Sequence, residues 1–270
     1  MTPGHSEETK MRRELRNVML KVIDEPRAID LPIEAAPYHQ MLEALGAASA
    51  PEGVIRLARE SIDSANAMVA DGLVQPRLIA AEFRVDSLIA DGIVVGSHTI
   101  IPCDSSVFEG SDRIIAAIAT LGPRLEQTVT SAFAGNNPLL AITLDAAGTI
   151  LIRNASIQFQ RDCAARAGAI GLELGPRVSP GCRAVPLEAQ KALFSLLDAQ
   201  SVGVTLTDSL LMTPAKSVSL MFPLGASLPE RLRVFNMCHA CRHSNRCAQI
   251  ALTPGRTGTP RWTTSRPRTP

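Results

Sequence analysis

Eight residues in the middle of the chain, Arg113-Ile-Ile-Ala-Ala-Ile-Ala-Thr120, constrain the fold most. A continuous apolar run this short, closed by Gly122-Pro123, predicts a strand buried on both faces, and such a strand belongs at the centre of a sheet. Leu78–Val85 and Gly92–Ile101 are rich in β-branched and apolar residues and flank the turn-forming Asp91-Gly92, so they are expected as a strand pair. Further strands are expected over Ile170–Leu174, Val202–Leu206 and Ser217–Phe222.

Helical spacing alternates irregularly with these strands. It is visible over Met11–Ile23 and Tyr38–Leu45, with turns signalled by Pro26, Pro32 and Pro37. From Gly53 to Val69 the residues Val54, Leu57, Ala58, Ile62, Ala65 and Val69 form one apolar face, and Asp71-Gly72 marks the stop. Pro138–Ala167 reads as one long helix, and Pro186 stands at the start of another over Leu187–Leu197. Gly148 inside the long helix costs about 1 kcal/mol relative to Ala, so it marks close approach of a neighbour, either ordinary packing or a ligand. The mixture predicts an α+β fold, with a mixed, mainly antiparallel sheet packed with helices.

Composition narrows the function classes. With 46% hydrophobic residues among 270, the chain can bury a sizeable core. A formal net charge of +1 and 3% aromatic residues supply neither the field nor the stacking platforms of a nucleic-acid binder. No apolar run is expected to approach the roughly 20 residues that cross a bilayer, and the polar start Met1-Thr-Pro-Gly-His-Ser lacks a signal-peptide core. No membrane association and a cytoplasmic location are expected.

The chemistry concentrates in one stretch. Arg177-Val-Ser-Pro-Gly-Cys182 sets a fixed cation beside a turn in which Pro180 presets φ and Gly181 carries no side chain, so the backbone can lie close to an anionic or flat ligand. A helix follows, then Leu206-Thr-Asp-Ser209, then Met212-Thr-Pro-Ala-Lys-Ser-Val-Ser219. This order, an Arg-x-x-Pro-Gly turn, a helix, a Leu-Thr-acidic-Ser segment and a Met-x-Pro-x-x-Ser-Val-Ser segment, resembles the S-adenosylmethionine-binding activation domain of cobalamin-dependent methionine synthase. Ala119-Thr-Leu-Gly-Pro123 and Leu144-Asp-Ala-Ala-Gly148 are similar to segments of its free-standing members, which extends the resemblance over most of residues 40–225.

The resemblance implies that Arg177, Ser179, Pro180, Gly181 and Cys182 line an S-adenosylmethionine site and that Met212 and Pro214 face a cobalamin carried by a partner. The sequence departs from the family in two places. Cys182 stands where Tyr is usual, and Arg153 and Asn154 follow Gly148 where an acid for the ligand's ammonium is expected. No catalytic acid–base pair is required, since the task is to position a methyl donor. There is no Asp-x-His-x-x-Gly segment of the kind that ligates cobalamin, so a corrinoid protein or cobalamin-binding methyltransferase is expected to act in trans, with an outside, flavodoxin-like reductant.

Cys238-His-Ala-Cys241 followed by Cys247 is a second constellation. Three close thiolates suit a zinc ion or an iron–sulfur cluster, the alternative being reduced, unmetallated thiols. Cys103 and Cys163 lie in apolar contexts and are expected in the core, and His39 and His98 are given no role. The expected division is a helical or loose segment over 1–36, the activation-like domain over 37–226, the cysteine triplet over 227–252 and a disordered Thr-, Pro- and Arg-rich tail over 253–270. The function expected is support of reductive methylation of a partner's cobalamin. Two alternatives stay open: a metal or iron–sulfur redox activator of a corrinoid protein, and a docking scaffold without enzymatic activity.

Overall fold

The computed structural model describes residues 27–30, 35–96 and 98–233. Its sheet has seven strands in the order β4-β3-β2-β5-β9-β6, with β1 on the other edge of the first part of β2. These are β1 (Arg27–Asp30), β2 (Arg77–Ile89), β3 (Gly92–Val95), β4 (Thr99–Pro102), β5 (Arg113–Thr120), β6 (Glu173–Leu174) and β9 (Ser217–Gly225). Every pairing among them is antiparallel. The fold is α+β, as expected from the sequence.

β5 takes the central place, paired along its whole length with β2 on one edge and β9 on the other. Successive side chains of a strand point to opposite faces, which divides the apolar run between two cores. Ile115, Ala117 and Ala119 enter a first core, and Ile114, Ala116 and Ile118 enter a second.

Helices fill the first core: α1 (Tyr38–Ala44), α2 (Glu52–Ala70), α3 (Arg124–Ala134) and α4 (Pro138–Ala169). The long helix α4 opens on Asn137, whose side chain accepts the Leu140 amide proton, with Pro138 in the first turn. It buries Leu144, Ala147, Leu151, Ala155 and Phe159, and the Phe159 ring tilts against Phe222 of β9 at 6.0 Å. Contrary to the sequence expectation, α4 is long and apolar enough to cross a membrane, but its most apolar window is 56% buried in the protein and serves as a core helix. A Cβ on its Gly148 would meet Leu125 Cδ2 of α3 at 2.3 Å and Lys216 Cγ at 3.2 Å. Packing of neighbouring side chains explains that glycine.

The second face is covered by a contiguous stretch, Val178 to Val204, together with residues from the β3–β4 region. This stretch includes α5 (Ala189–Leu196) and precedes a separate hairpin of β7 (Thr205–Leu206) and β8 (Met212–Thr213). The last element among the described residues is α6 (Glu230–Arg233), whose Leu232 is buried.

Several boundaries differ from the sequence expectation. β2 runs on to Ile89, and the single strand expected over Gly92–Ile101 is two strands, because the chain turns back at Gly96 with φ +56°. α4 continues to Ala169, leaving only Glu173–Leu174 of the strand expected from Ile170. Ala199–Val202 forms a 3-10 turn, so the strand expected from Val202 starts at Thr205. In α2 the apolar face holds from Ala58 onward, whereas Val54 and Leu57 in its first turns are exposed. The helix expected over 11–23 and the tail over 253–270 lie outside the described residues.

Candidate functional site

The Arg177 turn is carried on β9. Beyond β6 the chain stays beside that strand: the Gly175 amide donates to Pro223 O at 2.7 Å, and Val178 and Met221 exchange backbone hydrogen bonds of 2.9 and 2.8 Å. Val178 points into the second core, so alternation sends the preceding Arg177 to the helical side. There Arg177 Nη1 donates to Ser156 Oγ of α4 at 2.8 Å, and the same hydroxyl donates to the Arg153 carbonyl at 2.7 Å. With its proton committed, the hydroxyl is fixed as an acceptor for the guanidinium.

Arg177 is half-buried, and among the described residues it makes no ion pair. A guanidinium held by a neutral hydroxyl keeps its full charge and further donors for a carboxylate. Such an arrangement fits the carboxylate end of an amino-acid-like ligand.

Ser179, Pro180, Gly181 and Cys182 then form a tight turn closed by the Cys182 amide on Ser179 O at 3.1 Å. Pro at the second position and Gly at the third, with φ +86°, are the marks of a type II turn. A Cβ on Gly181 would touch only Leu187 Cδ1, at 3.6 Å, so the backbone conformation, and not crowding, calls for glycine. Gly181 is exposed, Ser179 and Pro180 are half-buried, and Cys182 is half-buried against the second core.

At the positions where an acid was expected, Arg153 is 9% exposed and Asn154 Nδ2 lies 3.4 Å from Gln40 Oε1. The polar partner that α4 offers Arg177 is Ser156, which the sequence reading did not single out. A serine in an apolar helix carries no local sign of a partner 21 residues away.

The second group of candidates sits at the other end of β9. Met212 is half-buried and packs on the second core, and Pro214 is buried after a cis peptide bond from Thr213. The exposed apolar residue of this hairpin is Leu211, 59% exposed, next to Leu210 in the left-handed region at φ +63°. Lys216 follows, its Nζ 2.8 Å from Asp145 Oδ1 and 2.9 Å from Thr149 Oγ1, both on α4. Its amide donates to Glu126 Oε1 of α3 at 2.9 Å, and its carbonyl accepts from the Leu121 amide at 3.0 Å. The segments 119–123, 144–148 and 212–219, separate in sequence, therefore meet at one lysine. Arg177 and this cluster are not joined: Met221 and Ser217 of β9, beside which they lie, are four residues or roughly 13 Å apart.

Burial pushes the Cys103 and Cys163 thiols up to about 12, helped by the charges of Asp104 and Asp162 respectively. Both are core residues. Cys238, Cys241 and Cys247 lie outside the described residues, and among the described residues no three His, Cys, Asp or Glu side chains gather as a metal site.

Residues 173–227 match the family model described as the vitamin B12 dependent methionine synthase, activation domain. This stretch is similar to that activation domain. Among solved structures, the chain is similar to the MetH reactivation domain bound to AdoHcy, with a TM-score of 0.59 and 17% identity over 74% of this chain and 78% of that one. The likeness extends the activation-domain fold well beyond the matched segment. No curated protein matches the chain by sequence.

The matched segment holds Arg177, the turn that follows it, the β7–β8 hairpin, Lys216 and β9. Ser156, Asp145 and Glu126, to which two of those residues bond, come from helices outside it.

Proposed function

We propose that this chain is an accessory protein that binds S-adenosylmethionine and supports reductive methylation of the cobalamin of a methionine synthase or related corrinoid methyltransferase, acting in trans. The observation that carries the reading is Arg177: a half-buried guanidinium two residues before a type II turn, held by the neutral Ser156 hydroxyl, inside the segment that matches the activation-domain family. In this reading Arg177 takes the carboxylate of the methionine moiety, and the open backbone at Gly181 lies against the adenosyl moiety. The ligand supplies a methyl group from its sulfonium, and an outside, flavodoxin-like reductant supplies the electron. The chain's own residues bind and orient, which is the larger part of such catalysis. The β7–β8 hairpin with Met212 presents itself to the corrinoid partner.

The test uses the full chain. Calorimetric titration with S-adenosylmethionine should show binding that Arg177→Ala weakens. Methyl-labelled S-adenosylmethionine, a reductant and a corrinoid methyltransferase in its oxidised, inactive state should give labelled cobalamin only when this chain is added. Absence of both binding and label transfer would sink the proposal.

A further inference from the structure

Lys216 is the point at which the hairpin that carries Met212 is tied to the helical layer. Four hydrogen bonds or ion pairs converge on this one residue, two from its ammonium to α4, one from its amide to Glu126 of α3, and one to its carbonyl from Leu121. Its side chain is 15% exposed, whereas that of Asp145 is 58% exposed. The aliphatic stem lies where a Cβ on Gly148 would come within 3.2 Å of Cγ and 3.3 Å of Cε, so the missing side chain in α4 makes the channel that the stem occupies. Next to it, Ser217 Oγ donates to Thr120 Oγ1 at 2.8 Å, and Thr120 Oγ1 accepts from the Gly122 amide at 3.1 Å.

A fold that needed only to start β9 would not require this, because β9 is already paired to β5 from Ser217 onward. The extra ties act on the other side of Lys216, where the chain leaves the sheet for Pro214, Met212 and the exposed Leu211. We propose that Lys216, through Asp145 and Thr149, is a positioning residue that fixes the pose of the Met212–Ala215 segment for docking of the corrinoid partner. The inference rests on the function proposed above. Lys216 acts through the segment and touches no ligand itself. Misplacing a docking or reacting surface by an ångström can cost orders of magnitude in rate, which is what a lysine bridging two layers would guard against.

Lys216→Met keeps the stem in the Gly148 channel and removes the ammonium. Asp145→Asn, at a half-exposed position, removes the charge of the partner without endangering the fold. Two readouts separate this inference from the function it rests on. In amide hydrogen exchange, both variants should speed exchange at the Thr207 and Leu211 amides of the hairpin while the β5–β9 amides keep wild-type protection. In label transfer to the corrinoid partner, both should raise KM for the partner on the order of tenfold, with affinity for S-adenosylmethionine unchanged within about twofold. Lys216→Arg should restore part of the KM, and the double variant should be no worse than Lys216→Met. Unchanged hairpin exchange overturns the inference whatever the partner does, and faster exchange with an unchanged KM overturns the docking role. A wild-type chain that transfers no label brings down the proposed function, and this inference with it.

Discussion

Arg177 and Ser156 are joined by a 2.8 Å hydrogen bond between the extended stretch that leads into the Pro-Gly turn and the long central helix. The bond orients the guanidinium from below without neutralising it, which is the difference between an anion site and an internal ion pair. Arg177→Ala should therefore weaken S-adenosylmethionine binding by about 1.5–3 kcal/mol, the range for a hydrogen bond to a charged group. Arg177→Lys should recover only part of this, because an ammonium lacks the planar fork. Ser156→Ala should cost less than Arg177→Ala. Calorimetry on the three variants reads this directly, and equal affinities throughout would remove Arg177 from the site.

Cys182 closes the turn and is half-buried against the second core. An aromatic ring there would cover apolar ligand surface that a thiol leaves in contact with water. Cys182→Tyr is expected to tighten nucleoside binding in the same titration. Weaker binding by a folded variant would mean that the turn has adapted to the smaller side chain.

The glycines give a stability test of the packing. At Gly148 an added methyl group meets Leu125 Cδ2 at 2.3 Å, which demands movement of a buried side chain. Overpacking of about 1–3 kcal/mol should exceed the roughly 1 kcal/mol that alanine gains in a helix, so Gly148→Ala should lower the denaturation midpoint. Gly181→Ala has room for the methyl group but sits at φ +86°, and should lose about 1–2 kcal/mol from backbone strain alone. A Gly148→Ala chain as stable as wild type would show that α3 yields easily.

The two buried thiols set an alkaline limit. Their folded pKa is raised from the ordinary 9.0 to about 12, so the unfolded chain releases those protons first as pH rises. Stability is then fully present below about pH 9 and is lost progressively as pH rises through about 12. Replacing Cys163 by Ala should flatten part of that slope in urea denaturation measured across this window. An unchanged slope would mean that the thiols are not its source.

The sequence announced the elements whose signals are local. The unbroken apolar run of β5, the apolar spacing of α4, and the Pro180-Gly181 turn all appear as expected, because each is set by residues near one another in sequence. What could not be read is what depends on contacts between distant segments. The division of Gly92–Ile101 into two strands, the exposed first turns of α2, and the bonds from Ser156 to Arg177 and from Asp145 to Lys216 are settled by which surfaces meet. The placing of Met212 and Pro214 shows the same limit. A motif names residues, and only packing decides that Pro214 is buried while Leu211 is exposed.

The split of β5 between two cores has a consequence for recombination. One side of the sheet is roofed by α1 to α4, and the other largely by the consecutive stretch from Val178 to Val204, inside the segment matched by the family model. The two roofs of the sheet are thus nearly separate stretches of the chain that meet at shared strands and at a few ties such as Lys216. A chimaera that takes residues 173–227 from a relative should fold on this chain's helices if the donor brings side chains the size of Met221 and Leu220 opposite Ala116 and Ala117, together with a lysine whose stem still fits beside this chain's Gly148.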